Sequence, residues 1–265
     1  MDIKVPTMAE MAASGQKPDV LFWVGCAGSF DQRAQKVTRS FVKILNHLGI
    51  KYAVLGTEES CTGDPANRAG NEFVYQMLSM QNIEVMNGYE VQEIVTTCPH
   101  CFNILKNEYP ALGGKYRVRH HSQFLQDLID QGKIKLTDAT SFKGKRITYH
   151  DSCYLGRANE VYEAPRKVLE LLDAELVEMK SCKTKGLCCG AGGAQMFKEE
   201  EKGTIRINQA RIEEAFDVSA DIVAAACPFC STMLTDGVKG KDMQVSVKVF
   251  DIAELLAAGQ GLESI

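Results

Sequence analysis

The chain of 265 residues carries no long basic run, and its first residues lack the apolar core of a secretion signal. It also has no apolar run near the roughly 20 residues that a membrane-spanning helix needs. Lysine plus arginine total 30 against 34 acidic residues, for a net charge of −4. These absences weigh against nucleic acid as a partner, against export and against a direct membrane span. The expected location is the cytoplasm, with at most a peripheral place on a membrane complex. A charged content of 24% and a hydrophobic content of 45% are ordinary for a globular protein, and the length suits two domains.

What the sequence has instead is cysteine, ten in all. Without an export signal these are not expected as structural disulfides. Thiols clustered at fixed spacing in a reducing compartment more often hold metal or do redox chemistry. The densest stretch, 180–195, reads K-S-C-K-T-K-G-L-C-C-G-A-G-G-A-Q. Adjacent Cys188 and Cys189 lead into Gly190, Gly192 and Gly193. Glycine accepts positive φ and lets the backbone approach a bulky guest, so both thiolates can face one inorganic centre. Cys153 in H-D-S-C-Y-L-G-R and Cys227 and Cys230 in A-C-P-F-C fit the same site.

The first half repeats this plan. Cys26 lies in W-V-G-C-A-G-S, Cys61 in E-E-S-C-T-G-D, and Cys98 and Cys101 in T-C-P-H-C. Cys153 minus Cys26 is 127, Cys189 minus Cys61 is 128, and the C-x-x-C pairs differ by 129. Such a steady offset marks an internal duplication. In this register Ser60 stands where the second half has Cys188. The second half then offers five ligands and the first half four.

Residues 1–18 read as a mobile arm ending at Pro18. The first cysteine-rich lobe is expected over 19–141 and the second over 146–258, with F-K-G-K at 142–145 as the linker. Apolar β-rich runs lead into Cys26, Cys98, Cys153 and Cys227, and periodic helical stretches alternate with them. The last strand is expected over 245–250. This alternation predicts an α/β fold of two duplicated lobes, each a small parallel sheet flanked by helices, related by a pseudo-twofold axis. The cysteines fall just past the C-terminal ends of strands, where open α/β sheets place their ligands.

Thiolates suit zinc, copper(I) and iron–sulfur clusters. A closed zinc site has no use for a fifth cysteine, so Cys153, Cys188, Cys189, Cys227 and Cys230 point to an enlarged iron–sulfur centre. For Cys26, Cys61, Cys98 and Cys101, a cluster and zinc both stand open.

The pattern C-x34-C-C-G followed by C-P-F-C resembles the cysteine-rich CCG domain. It is similar to the B subunit of heterodisulfide reductase and to iron–sulfur subunits of glycolate, lactate and anaerobic glycerol-3-phosphate oxidation systems. The resemblance covers about residues 19–258. It implies a noncubane [4Fe–4S] cluster on Cys153, Cys188, Cys189, Cys227 and Cys230. Members that cleave heterodisulfides face two such clusters across a shared space. With Ser60 in its repeat, the first lobe departs from that pattern, which leaves a cubane [4Fe–4S] cluster or zinc there. The resemblance therefore implies an oxidoreductase subunit that passes electrons within a larger complex through the second-lobe cluster. Its alternatives are a disulfide reductase acting on a small disulfide or thiol at that cluster, and a zinc-stabilised scaffold without redox function. The ferredoxin-like C-x2-C-x2-C-x3-C run is absent, so a separate ferredoxin-like iron–sulfur subunit or a flavoprotein is the expected electron partner.

Other residues are weighed beside these. His150 and Asp151 stand close enough before Cys153 to bond cluster sulfur or to relay a proton, and equally to satisfy a strand end. Arg157 suits either the balancing of cluster charge or a surface ion pair. His100, inside C-P-H-C, is a weaker ligand candidate because its counterpart is Phe229. Cys182 lies outside the repeat and reads as a spare thiol. His120 and His121 read as structural. Lys180, Lys183 and Lys185 read as a solvated loop.

Overall fold

The apolar runs before the cysteines become strands because both of their faces are covered. Val20–Trp23 and Ile222–Ala225 are buried at every position, as inner strands of a parallel sheet are. The computed structural model describes residues 3–136, 142–199, 202–241 and 247–265. The first half runs α1 (Met8–Ala13), β1 (Val20–Trp23), α2 (Gly25–Phe30), α3 (Gln32–His47), β2 (Tyr52–Ala53), α4 (Asp64–Arg68), α5 (Glu72–Gly88), β3 (Glu93–Thr96), α6 (Pro99–Asn103), β4 (Arg117–His120) and α7 (His121–Asp130). The second runs β5 (Arg146–Tyr149), α8 (Glu163–Glu170), β6 (Glu175–Leu176), α9 (Ile207–Asp217), β7 (Ile222–Ala225), α10 (Pro228–Lys239), β8 (Lys248–Asp251) and α11 (Ile252–Gly259).

Each half builds one four-stranded sheet, in the order β2-β1-β3-β4 and β6-β5-β7-β8. All pairings are parallel; Trp23 lies beside Thr96, and Tyr149 beside Ala224. The chain reverses its direction of winding between β1 and β3, and again between β5 and β7. A crevice therefore opens at the C-terminal edge of each sheet, where the cysteines follow.

The lobes share one core, with Leu21 and Ile94 in the same apolar cluster as Ile147 and Leu256. Helix α3 packs on α11 and α7 on α8, two contacts that exchange under a pseudo-twofold rotation. Polar groups fasten the same interface. Arg33 forks onto Glu254 at 2.8 and 2.6 Å and donates to the Val249 carbonyl at 3.0 Å. His121 Nε2 meets Asp251 Oδ1 at 3.0 Å, with both side chains fully buried. Glu254→Ala would strip Arg33 of both carboxylate bonds and open the capping box of α11. The expected loss is about 2 kcal/mol, read from urea unfolding. A single transition should persist, because the lobes share a core.

Within the expected mobile arm of residues 1–18, the described residues 3–18 depart from that expectation. Thr7 and Glu10 form a capping box, Met8 is buried, and Thr7 bridges Val54 beside β2. The T-M-A-E sequence is the available signal for that helix start. The edge strands β2 and β6 are two residues each, short as edge strands often are. The expected end of the first lobe at 141 lies outside the described residues, as do positions 245 and 246 of the last expected strand. Phe142, placed in the linker, is buried. Among the described residues no helix is long and apolar enough to cross a membrane.

Candidate metal centres

In the second lobe, three chain segments converge past the sheet. Cys153 follows β5, Cys188 and Cys189 lie in the loop after β6, and Cys227 caps α10 with Cys230 in its first turn. Cys227 Sγ accepts the Cys230 amide at 3.5 Å, and Cys189 Sγ donates to Cys230 Sγ at 3.4 Å. Gly190 donates its amide to Cys188 Sγ at 3.3 Å and does so at φ +91°, a conformation that side chains with Cβ resist. The thiol of Cys153 donates to Cys188, which holds Cys188 far below the usual thiol range and Cys153 far above it. All ten cysteines are free thiols.

The first lobe does the same with fewer sulfurs. Cys26 lies in the first turn of α2, Cys61 in the loop after β2, Cys98 caps α6, and Cys101 lies within it. The Cys26 thiol donates to Cys61, lowering Cys61 to about 6 and raising Cys26. Gly63, at φ +87°, donates its amide to Cys61 Sγ at 3.5 Å. Thr62 Oγ1 lies 3.9 Å from Cys101 Sγ. The cavity among these sulfurs is closed by Gly25, Pro65 and, from the other lobe, Phe229.

These contacts correct the repeat register. Cys61 pairs with Cys26 as Cys188 pairs with Cys153, and each takes an amide from a left-handed glycine two residues on. Thr62 touches Cys101 as Cys189 touches Cys230. Cys61 is therefore the counterpart of Cys188, and the sulfur missing from the first lobe is that of Cys189, replaced by Thr62. Ser60 lies outside the set; its backbone is held by the Asn82 side chain. The physical reason is the turn itself: Gly63 and Gly190, each left-handed two residues after its cysteine, set this alignment. The equal spacing of Cys26 to Cys61 and of Cys153 to Cys188 agrees with this register.

Both donor sets suit a thiophilic centre. Sulfur dominates both donor sets, which favours zinc or iron–sulfur over hard cations. Gly25 supplies room: a β-carbon there would lie 3.3 Å from Cys101 Sγ, and its φ of +78° is one that alanine resists. Its amide also donates to Glu59 Oε1 at 2.6 Å. Gly25→Ala should cost about 1–2 kcal/mol in backbone strain. It should also empty the first lobe of metal while the second lobe keeps its own, as metal analysis per chain would read.

The two sites adjoin at the pseudo-twofold axis. His100 and Phe229 hold the same place in the two C-P-x-C segments, and their rings meet edge to face at 5.1 Å. Equivalent residues that touch must straddle the axis. Tyr154, next to Cys153, stacks on His100 at 4.3 Å, and the Arg68 guanidinium lies 5.5 Å over Tyr154. Burial raises the Cys227 thiol, and the charge of Cys98 across the axis raises it further.

The remaining expected residues divide. His150 comes within 4.8 Å of Cys189 and Cys230, ligand atom to ligand atom. Burial lowers it to about 3, and Arg211 Nε donates to its Nδ1 at 3.0 Å, so the neutral ring carries its proton on Nε2. Asp151 is turned away to Arg166, at 2.8 and 3.0 Å, and to the Lys183 amide. Arg157 is exposed in the turn after Cys153. His100 Nδ1 is engaged by Asp64 at 2.9 Å, and its ring lines the first-lobe cavity. Burial alone would lower His100, but Asp64 and the Cys98 charge outweigh it and hold it above normal. Cys182 is half-exposed and apart from the five sulfurs. Lys183 pairs with Glu163 at 2.7 Å. His120 and His121 join the buried interface. Sequence reasoning missed Glu59, which accepts the Val24 and Gly25 amides at 3.0 and 2.6 Å and is raised to about 7 by burial. It also missed Thr62 and Arg211.

Comparison with known proteins agrees with the duplicated geometry. The cysteine-rich CCG domain matches twice, at residues 20–106 and 147–235. The chain is 46% identical over 257 residues to a probable iron-sulfur-binding oxidoreductase, FadF, of Bacillus subtilis, covering 97% of this chain and 36% of that protein. It is 44% identical over 248 residues to the EtfAB:quinone oxidoreductase of Syntrophomonas wolfei, covering 91% and 34%. It is 36% identical over 255 residues to one component of the dihydromethanophenazine:CoB--CoM heterodisulfide reductase of Methanosarcina barkeri, covering 94% and 60%. The chain thus spans about a third to three fifths of the length of these relatives.

Proposed function

This chain belongs to the cysteine-rich CCG-domain family, and from that we propose that it is an iron–sulfur oxidoreductase component passing electrons within a larger assembly. The working centre is a noncubane [4Fe–4S] cluster held by Cys153, Cys188, Cys189, Cys227 and Cys230. The first lobe holds a second, four-thiol centre on Cys26, Cys61, Cys98 and Cys101. The observation that carries the reading is the gathering of five free thiols from three segments past one sheet edge, two of them 3.4 Å apart. When bound, an iron–sulfur centre supplies one-electron transfer.

The protein's own contributions are local. Thiol donation from Cys153 and Cys26, aided by the amides of Gly190 and Gly63, lowers the Cys188 and Cys61 thiols. His100, Tyr154 and Phe229 fill the space between the sites and keep water from it. Cys26 and Cys153, whose thiols are raised, must give up their protons to bind metal, so loading releases protons and metal affinity should weaken steadily as pH falls. Partners that fit are a conventional iron–sulfur protein and a flavoprotein, serving as source and sink.

A second reading is favoured by the adjoining of the two sites at the axis. Two centres that close suit the two-electron cleavage of a small disulfide to two thiols, the chemistry for which the M. barkeri relative is named. Anaerobic purification tests the main reading. Two four-iron centres predict about eight iron and eight sulfide per chain. A colourless protein holding zinc would leave the scaffold reading instead. Cleavage of a small disulfide by the reduced protein alone would favour the second reading over the first.

A further inference from the structure

We propose that Trp23 donates its indole N–H to a sulfur of the first-lobe centre. The proposal rests on the reading that Cys26, Cys61, Cys98 and Cys101 hold such a centre. Trp23 is the only tryptophan in the chain. It ends β1, three residues before Cys26, with its side chain fully buried. Among the described residues, its Nε1 finds no hydrogen-bond partner. An indole N–H can only donate, and burying it unpaired is unfavourable. The missing acceptor is therefore to be sought in what the site binds.

The surroundings supply the direction. A β-carbon on Gly25 would lie 3.3 Å from Cys101 Sγ and 4.0 Å from Trp23 Nε1. The indole nitrogen and a ligand sulfur thus border one gap, which glycine leaves open. The other lobe gives an independent parallel. Trp23 lies 127 residues before His150, the same offset that relates Cys26 to Cys153 and Cys61 to Cys188. His150 places its ring beside Cys189 and Cys230, and Arg211 keeps the proton on the nitrogen facing away from the guanidinium. The equivalent strand-end position of each lobe therefore carries a nitrogen-bearing ring. In the first lobe the donor cannot titrate.

A hydrogen bond to sulfur draws electron density from the centre and makes it easier to reduce. The test uses the full chain, purified anaerobically with iron and sulfide. A heavy-nitrogen label confined to the indole ring marks this one side chain, because there is no other tryptophan. The reduced first-lobe signal, assigned by its loss in Cys26→Ser, should show a hyperfine coupling to the labelled nitrogen. Trp23→Phe should lose the coupling and shift the first-lobe midpoint potential to a more negative value, leaving the second-lobe potential in place. Trp23→His should restore part of the shift. The labelled wild type needs no variant, so a folding defect in Trp23→Phe does not block the test. A first-lobe signal without nitrogen coupling, and with its potential unchanged in Trp23→Phe, overturns the proposal and leaves the iron–sulfur reading standing. If Cys26→Ser alters neither iron content nor spectrum, the first lobe holds no cluster, and the proposal falls with that reading.

Discussion

Replacing Cys189 by threonine should give the second lobe the sulfur complement of the first. Cys189 is 2% exposed and touches Cys230 at 3.4 Å, and Thr62 touches Cys101 from the equivalent place. The four remaining sulfurs, Cys153, Cys188, Cys227 and Cys230, would match Cys26, Cys61, Cys98 and Cys101 one for one. The expected outcome is loss of the second-lobe spectrum in its wild-type form and convergence on the first-lobe spectrum. The fold should survive, since threonine already occupies this loop position in the other lobe, and the stability change should stay near about 1 kcal/mol. Iron, sulfide and electronic spectra of the anaerobic variant measure this. An unchanged spectrum would mean that Cys189 is only a buried apolar residue and that five-thiol binding is wrong.

The reverse change, Thr62→Cys, should build a fifth thiol where the first lobe lacks one. Thr62 is 2% exposed, and its carbonyl accepts from Ser79 and Tyr109 through bonds that do not involve its side chain. A cysteine there keeps those bonds and points its sulfur at Cys101. The expected result is a first-lobe spectrum that takes on the second-lobe form, so that signal of that form doubles per chain. An extra free thiol in the loaded protein, with no spectral change, would show that sulfur count alone does not decide the type of centre. Ser60→Cys is the control that an offset of 128 suggests. It should add a thiol without changing the centre, because Ser60 belongs to a segment held by Asn82.

That control marks the reach of sequence reasoning. The strand ends and the cysteines are legible because burial and spacing are both written in one dimension. The β1 and β7 runs are apolar throughout, and the C-P-x-C pairs are unmistakable. The partner of Cys61 is not legible from subtraction alone. Offsets of 127 and 128 both look steady, and only the left-handed glycines at 63 and 190 choose between them. Contacts across the lobes are harder still. Nothing local in the sequence says that His121 reaches Asp251 or that Arg33 reaches Glu254. Glu59 is hidden for a similar reason, since its role is to accept amides from a strand end more than thirty residues away. The helix at Met8 is legible only through its capping box, because just six helical residues follow it.

The ring contact between His100 and Phe229 has a meaning of its own. In an assembly of two identical halves, the side chain at such a point would face its own copy, imidazole against imidazole or benzyl against benzyl. Joining the halves in one polypeptide lifts that restriction. One member of the couple is free to be basic and tethered to Asp64, and the other to stay greasy. The midpoint of the molecule is thereby polarised, with an imidazole tied to a carboxylate on the first-lobe side and a hydrocarbon ring on the second.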